Sequence, residues 1–238
     1  MKVLLTRPQY DSQKLAKDLQ DYGIESHINP LLEIEQKHFQ YDPERAQAFV
    51  ITSLNGLRSF ATQNQERSLP LFVVGQESMN LASSFHFKKI IPGNGTALSL
   101  LPLIQTTCSP AEKEIACITG DYIHTDLILP LTELGFSAKQ IIAYNTIECT
   151  SLDLQTQNFL KDKTISVVTF FSPRSAQIFA KLVENYKDLC QFLYGVCLSP
   201  EISNIVSEIK WRKLYTAASP SRQEIIEILK DLKKENIL

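Results

Sequence analysis

Short runs of β-branched and apolar residues alternate with helical patterns along the whole 238-residue chain. The strand-like runs lie at residues 3–6, 49–52, 72–74, 89–91, 115–119, 140–143, 166–171, 194–198 and 214–217. Parallel strands need a crossover connection, usually a helix, between one strand and the next. The alternation therefore predicts an α/β protein built on parallel sheets.

The two halves of the chain repeat this pattern in the same order. The unit from Lys2 to Glu35, which has the pattern strand, helix, glycine, strand, recurs from Glu114 to Glu148. Later strand ends also match: residues 50–55 with 169–174, 72–75 with 196–199 and 91–93 with 216–218. The order predicts two similar open parallel-sheet domains, Rossmann- or flavodoxin-like. Taken alone, the repeat favours two tandem halves.

Three strand-like runs end in a Ser-Pro pair that is typical of a helix start. The serine can cap the helix, and proline is favoured at the first helical position. The pairs are Ser172-Pro173, Ser199-Pro200 and Ser219-Pro220. The last pair has an alternative, because Ser221 and Glu224 form a capping box that would begin the last helix two residues later.

The charge balance excludes a broad electrostatic surface for nucleic acid or an anionic membrane. The chain has 24 Lys and Arg residues against 26 Asp and Glu residues, a net charge of −2. No apolar run approaches the roughly 18 residues of a membrane span, and residues 3–5 are too few for a secretion signal. We therefore expect a cytoplasmic protein with no nucleic-acid or membrane partner, which binds anions only locally.

The sequence gives no support for a metal or a nucleotide cofactor. The four histidines form no ligand spacing, and the five cysteines are scattered, mostly in apolar runs typical of buried reduced thiols. No turn matches a dinucleotide or P-loop motif; Gly93-Asn94-Gly95-Thr96 comes nearest and is interpreted as a plain turn. No serine nucleophile motif is present.

Hydroxyl residues stand at most of the strand ends that precede helical patterns. They are Thr6, Ser53, Ser78, Thr119, Ser172, Ser199 and Ser221. The free N–H groups and the dipole of a helix start favour anions by about 0.3 to 1 kcal/mol at each exposed site. Several such ends together could bind a polycarboxylate, although each hydroxyl alone is also explained by helix capping.

Six motifs resemble those of the uroporphyrinogen-III synthase family, in order and spacing along nearly the whole chain. They are VLLTRP at 3–8, ITS-x-N at 51–55, VVG-x-x-S at 73–78, ITGD at 118–121, AYNT at 143–146 and TFFSP at 169–173. The resemblance implies a small-molecule substrate, hydroxymethylbilane, a linear tetrapyrrole with eight carboxylates. It is closed with loss of water while the last pyrrole ring is inverted, with no cofactor and no metal.

The implied chemistry needs few acid or base residues. An electron-rich pyrrole expels its own hydroxyl, so the protein mainly folds the chain to favour attack by the otherwise disfavoured ring carbon, through a spiro intermediate. Without guidance the bilane closes to the type I isomer. The resemblance also implies discontinuous domains joined by a two-stranded connection, domain one being residues 1–35 with 151–238 and domain two residues 36–150.

The family tyrosine matches Tyr144, whose phenol would donate a hydrogen bond to the departing hydroxyl. The candidate substrate-binding residues are Thr6, Arg7, Ser53, Asn55, Gly75, Ser78, Gly120, Ser172, Ser175 and Ser199. Structural roles compete with these assignments: ring packing for Tyr144, a helix start for Ser78 and a surface ion pair for Arg7.

The chain departs from the family pattern at four positions, which puts individual carboxylate contacts in question: Thr119, His124, Ser199 and Ile202. The alternative to the enzyme is a non-catalytic two-domain tetrapyrrole-binding or regulatory module. A nucleotide-dependent enzyme would require that a nucleotide raise the melting temperature. We expect a monomer that receives its substrate by transient hand-over from hydroxymethylbilane synthase.

Overall fold

The computed structural model describes residues 1–235; the last three residues of predicted domain one, 236–238, lie outside the described residues. The strands are β1 Lys2–Leu5, β2 Glu25–Ile28, β3 Leu32–Gln36, β4 Ala46–Ile51, β5 Pro70–Val73, β6 Lys89–Pro92, β7 Glu114–Gly120, β8 Ala138–Glu148, β9 Val167–Phe170, β10 Tyr194–Cys197 and β11 Lys213–Thr216. The helices are α1 Gln9–Asp21, α2 Leu54–Gln63, α3 Gln76–Ser84, α4 Leu100–Thr107, α5 Ile128–Glu133, α6 Leu154–Lys161, α7 Pro173–Leu182, α8 Lys187–Cys190, α9 Pro200–Val206 and α10 Arg222–Lys234. Short 3₁₀ turns lie at Pro43–Arg45 and Glu184–Tyr186.

The chain divides into two compact units. Unit 1 contains residues 1–33 and the chain from residue 147 onwards, and unit 2 contains residues 34–146. The chain passes between them within β3 and within β8, which are neighbouring strands of one sheet. Among residues 1–235, no helix is long and apolar enough to cross a membrane.

The sheet of unit 1 has the strand order β11-β10-β9-β1-β2. Its neighbouring strands pair in parallel; Leu4, for example, lies opposite His27 of β2 and Val168 of β9. Counted along the unit, this is the order 2-1-3-4-5 of a flavodoxin-like sheet. The prediction of an α/β fold with open parallel sheets is confirmed.

The second sheet has the order β3-β8-β7-β4-β5-β6. The pairs β8-β7, β7-β4, β4-β5 and β5-β6 are all parallel. If β7 is counted first, these five strands again follow the flavodoxin-like order, with β3 added at the edge. The strand β8 is longer than the predicted run 140–143, because the backbone of Ala138 already pairs with Ile115 of β7.

Both faces of each sheet are covered by apolar side chains. Along β1, Val3 and Leu5 pack in one apolar cluster with α1 and α10, and Leu4 packs in another with α7 and α9. Along β4, Phe49 and Val50 likewise belong to opposite clusters. Burial on both faces explains why these strands are continuous apolar runs rather than alternating ones. It leaves the loops at the strand ends as the places where polar side chains collect.

Serines cap the helices as predicted, and the structure decides between the two predicted starts of the last helix. Ser172 and Ser199 accept hydrogen bonds from the backbone N–H groups of Ser175 and Ile202 and cap α7 and α9. For the last helix the later start is correct: Ser221 accepts from the N–H of Glu224 at 3.2 Å, while its own N–H donates to the backbone oxygen of Ser219 at 2.8 Å. The start at Ser219-Pro220 is wrong, because both residues precede the cap.

Replacing Ser221 by Ala is therefore expected to lower the free energy of unfolding by about 1 kcal/mol, because one N–H of α10 loses its acceptor. Ser219→Ala is the matched control and is expected to change stability by less than about 0.5 kcal/mol, since Ser219 is exposed. Urea unfolding of the two variants measures the difference. Equal losses would contradict the assignment of the cap.

Candidate active site

The register between β7 and β8 changes next to Tyr144. Thr119 lies opposite Ile142, but the following residue, Gly120, lies opposite Tyr144. The strand β8 therefore carries one extra residue, Ala143, at this point. Such a bulge changes the direction of the side chains that follow it and is frequent beside active sites. Tyr144 is the first side chain after the bulge.

The ring of Tyr144 lies directly against the backbone of Gly120. A Cβ atom at residue 120 would come within 2.6 Å of the Cζ atom of Tyr144 and 3.0 Å of its hydroxyl oxygen. Only glycine leaves room for this close approach. Both residues are buried, and Tyr144 is 8% exposed. The candidate residue Gly120 thus shapes the pocket of the phenol.

The hydroxyl of Tyr144 lies 3.0 Å from the Oγ of Ser53, which follows β4. Ser53 also accepts the N–H of Gly56 at 2.9 Å and caps α2. A serine hydroxyl has one proton to donate. If Ser53 donates it to the phenol oxygen, the phenol can in turn donate its proton to a bound molecule.

The helix that Ser53 caps, α2, carries a cation that the sequence analysis did not single out. The guanidinium of Arg58 on α2 donates to the Oδ1 of Asn55 at 2.9 Å, so the candidate Asn55 is joined to a positive charge. The only signal in the sequence is the i, i+3 spacing on one helix. Asn55 and Arg58 are both half-buried.

The structure corrects the expected position of Ser78. It does not precede α3 but is its third residue, and it is buried. The position before the helix belongs to Gly75, whose carbonyl accepts the first helical bond, from the N–H of Met79 at 2.9 Å. The helix begins soon after the apolar run of β5 ends. Of the two candidate residues Gly75 and Ser78, Gly75 is therefore the one at the start of α3.

Two further strand-end residues, Thr6 and Thr119, do not precede helices directly either. Thr6 is completely buried, and its hydroxyl donates to the backbone oxygen of Thr169 at 2.7 Å. Thr119 lies within β7, nine residues before α5 begins, and its hydroxyl accepts from Gln140 at 3.0 Å. Each hydroxyl therefore bonds to a strand of its own unit, Thr6 to β9 and Thr119 to β8.

In unit 1, Arg7 is largely buried rather than at the surface. Its guanidinium lies 3.3 Å from the carboxylate of Asp11, and its side chain is 13% exposed. It also stacks over the ring of Phe171, 4.5 Å from the ring centre. An arginine held in this way presents little of its charge to solvent.

The remaining candidates of unit 1 surround the starts of α7 and α9. Ser172 donates to the hydroxyl of the buried Ser175 at 2.9 Å, and Ser199 caps the next helix. A second missed cation, Arg174, lies at the same helix start and pairs with Glu148 at 3.1 Å. The repeat matches Arg174 with Asn55 of unit 2, so each unit has a hydroxyl and an arginine at this strand end.

The thiols do not supply a nucleophile. Burial raises the pKa of all five cysteine thiols, to about 12 for Cys117 and Cys197, so they are protonated near neutral pH. Among residues 1–235, no group of three or more His, Cys, Asp and Glu side chains could hold a metal ion. The groups present among the candidate residues are hydroxyl, amide and guanidinium donors, together with the phenol of Tyr144.

A comparison with protein families identifies the chain. The sequence profile described as "Uroporphyrinogen-III synthase HemD" matches residues 13–227, which include Ser53, Gly120 and Tyr144. The chain belongs to the uroporphyrinogen-III synthase family. The resemblance drawn from the six motifs is thereby confirmed. The match extends through both structural units.

A protein of Methanocaldococcus jannaschii named "Putative uroporphyrinogen-III synthase" is 24% identical over 250 residues, covering 98% of this chain and 100% of that protein. Among solved structures, uroporphyrinogen-III synthetase from Helicobacter pylori is 19% identical with a TM-score of 0.69, covering 97% of this chain and 99% of that one. A mutant uroporphyrinogen III synthase from Thermus thermophilus is 13% identical with a TM-score of 0.59, covering 98% of each chain. These two structures share the fold.

Proposed function

We propose that this chain is a uroporphyrinogen-III synthase, which cyclises hydroxymethylbilane with inversion of the last pyrrole ring and loss of water. The observation that carries the proposal is the family match across residues 13–227. The product, uroporphyrinogen III, belongs to tetrapyrrole biosynthesis. A non-catalytic binding or regulatory module is not favoured, because the matched family is one of cyclising enzymes.

We assign the assistance of hydroxyl departure to Tyr144. Breaking the bond between the hydroxymethyl carbon and its oxygen requires that the oxygen leave as water, which takes up a proton. The phenol hydrogen-bonds this oxygen while Ser53, 3.0 Å away, donates to the phenol oxygen. The pyrrole nitrogen supplies the electron pair that expels the hydroxyl and releases its own proton, which balances the proton taken up by the water, so no strong base is needed.

The carboxylates of the substrate are assigned to the donors at the strand ends of each unit. In unit 2 these are Ser53, Asn55, Gly75 and Ser78, and in unit 1 Arg7, Ser172, Ser175 and Ser199. The two arginines that the structure adds, Arg58 and Arg174, can pair with carboxylates in bidentate fashion. The Thr6 hydroxyl is left out, because it is buried and donates to the backbone. Gly120 acts through the position of Tyr144.

Three further proposals concern the setting of the enzyme. Unguided closure of hydroxymethylbilane gives the type I isomer. Direct transfer of hydroxymethylbilane from the synthase that makes it would therefore raise the yield of the type III isomer. We therefore propose transient hand-over from hydroxymethylbilane synthase. We also propose that the protein acts as a monomer and in the cytoplasm, where that partner supplies a small soluble substrate.

Product analysis tests the proposed function. Hydroxymethylbilane is generated in place, this protein is added, and the oxidised porphyrins are separated into type I and type III isomers. We expect type III to predominate with the protein and type I without it. Type I alone, from a protein whose circular dichroism shows a folded α/β chain, would contradict the assignment.

A further inference from the structure

We propose that Asp121 is a positioning residue for Tyr144: it fastens the end of β8 so that the phenol stays beside Ser53. The catalytic consequence of this inference rests on the proposed function, whereas its structural part does not. Asp121 is exposed and follows directly after Gly120. It belongs to the loop between β7 and α5, and no residue of this loop has a role in the proposed function.

Asp121 contacts β8 at Tyr144 itself and at Thr146. Its backbone N–H donates to the carbonyl oxygen of Tyr144 at 3.0 Å. Its carboxylate oxygen Oδ1 accepts from the N–H of Thr146 at 2.9 Å and from the hydroxyl of Thr146 at 3.1 Å. One residue therefore makes three hydrogen bonds to the two residues that flank Asn145.

The carboxylate continues the strand pairing where the regular ladder stops. The last paired residues of β7 and β8 are Gly120 and Tyr144, immediately after the bulge. Two residues further along β8, the N–H of Thr146 donates to the side chain of Asp121. Hydrogen bonds to a charged acceptor are about twice as strong as neutral ones.

The carboxylate is itself fixed in place. Its Oδ1 also accepts from the N–H of Tyr122 at 2.9 Å, so the loop holds the acceptor in one orientation. The other edge of β8 pairs with β3. On the edge that faces β7, loss of this acceptor would remove the bonds to Thr146 and leave the backbone bond between residues 121 and 144. The ring of Tyr144 lies on Gly120, one residue before Asp121, and a shift of this segment would move the phenol relative to Ser53.

Replacement of Asp121 has different expected effects if the carboxylate acts on the substrate and if it positions Tyr144. A carboxylate near a substrate with eight carboxylates repels it, so removal of the charge alone would tighten binding and lower KM. Removal of the hydrogen-bond acceptor would instead misplace the phenol and lower kcat. The variants Asp121→Asn and Asp121→Ala separate the two effects, because asparagine keeps the side-chain acceptor without the charge.

The steady-state experiment uses the full chain with hydroxymethylbilane generated in place. We expect Asp121→Ala to lower kcat for type III formation at least about tenfold with KM changed less than about twofold, since small displacements of catalytic groups cost this much or more. Asp121→Asn is expected to retain kcat within about threefold. The matched control is Asp126→Ala in the same loop, where the carboxylate accepts only from the N–H of Ile128 at 2.8 Å.

A second measurement follows the ring without activity. In protein labelled with 3-fluorotyrosine, the ¹⁹F resonance of residue 144 is identified by its loss in Tyr144→Phe. We expect this resonance to shift or broaden in Asp121→Ala and in Thr146→Val, and to stay in place in Asp126→Ala. An unmoved resonance in Asp121→Ala would overturn the inference even if the protein makes no type III isomer.

Equal kcat values for Asp121→Ala and Asp126→Ala would also overturn it, provided that both variants melt within a few degrees of the parent protein. If the melting temperature is lowered only in Asp121→Ala, the ¹⁹F resonance and kcat of Thr146→Val decide the question. Thr146→Val removes the hydroxyl bond to Asp121 and leaves the sequence of the loop unchanged. Failure of the parent protein to form type III isomer would overturn the proposed function instead, and the ¹⁹F result would still stand by itself.

Discussion

Replacement of Tyr144 by phenylalanine is expected to lower the rate of type III formation by about 10²-fold, equivalent to about 2.7 kcal/mol of activation free energy. The ring carbons that lie against Gly120 remain, so the fold is expected to be kept. What is lost is the donor 3.0 Å from Ser53 that would bind the departing hydroxyl. The loss is not complete, because the pyrrole can still expel the hydroxyl slowly.

The measurement is the initial rate of type III formation with the type I fraction recorded in parallel. Because unassisted closure competes, a slower enzyme should also release more type I product. The matched control is Tyr186→Phe in unit 1, which likewise removes a phenol that donates one hydrogen bond, to Gln157 at 2.9 Å. Equal rates for the two variants would remove Tyr144 from the mechanism.

The sequence predicts the elements well wherever their causes are local. Apolar runs gave the strands, and a serine before a proline gave the caps of α7 and α9 because the capping bond joins residues three apart. The same locality explains the error at Ser78. The start of α3 is set by Gly75 and the end of β5, whereas the hydroxyl of Ser78 is buried in the first turn.

The assignment of segments to sheets has no local cause. Residues 2–35 and 114–148 repeat one another, so strand propensity alone cannot decide which of them completes which sheet. In the structure β1 and β2 pair beside β9, and β7 and β8 pair beside β4. The repeat alone favoured tandem halves, and the family resemblance was needed to suggest any other division.

Several parts of the candidate site also depend on tertiary structure. The bulge at Ala143 cannot be predicted from the AYNT motif, since it appears only when β8 is aligned with β7. The importance of Arg58 and Arg174 depends on their neighbours Asn55 and Glu148. By contrast, Tyr144 was found through the family resemblance, and its contact with Ser53 gives that assignment a physical basis.

Gly120→Ala is expected to lower the rate of type III formation at least as strongly as Tyr144→Phe, although it removes no functional group. The new methyl carbon would lie 2.6 Å from the Cζ atom of Tyr144, so the ring must move away from Ser53. Overpacking of a buried site also costs about 1–3 kcal/mol of stability. Urea unfolding and the initial rate, corrected for the folded fraction, measure the two effects separately.

The control is Gly195→Ala in β10 of unit 1, where a methyl group would lie 2.5 Å from the end of the Leu214 side chain. It is expected to lower stability without changing the rate of the folded protein. A double variant gives the sharper test. If Gly120→Ala acts by moving the phenol, adding it to Tyr144→Phe should lower the rate by no more than about threefold, because no phenol is left to misplace. A full additional loss would instead mean that the loop after β7 acts on the substrate by another route.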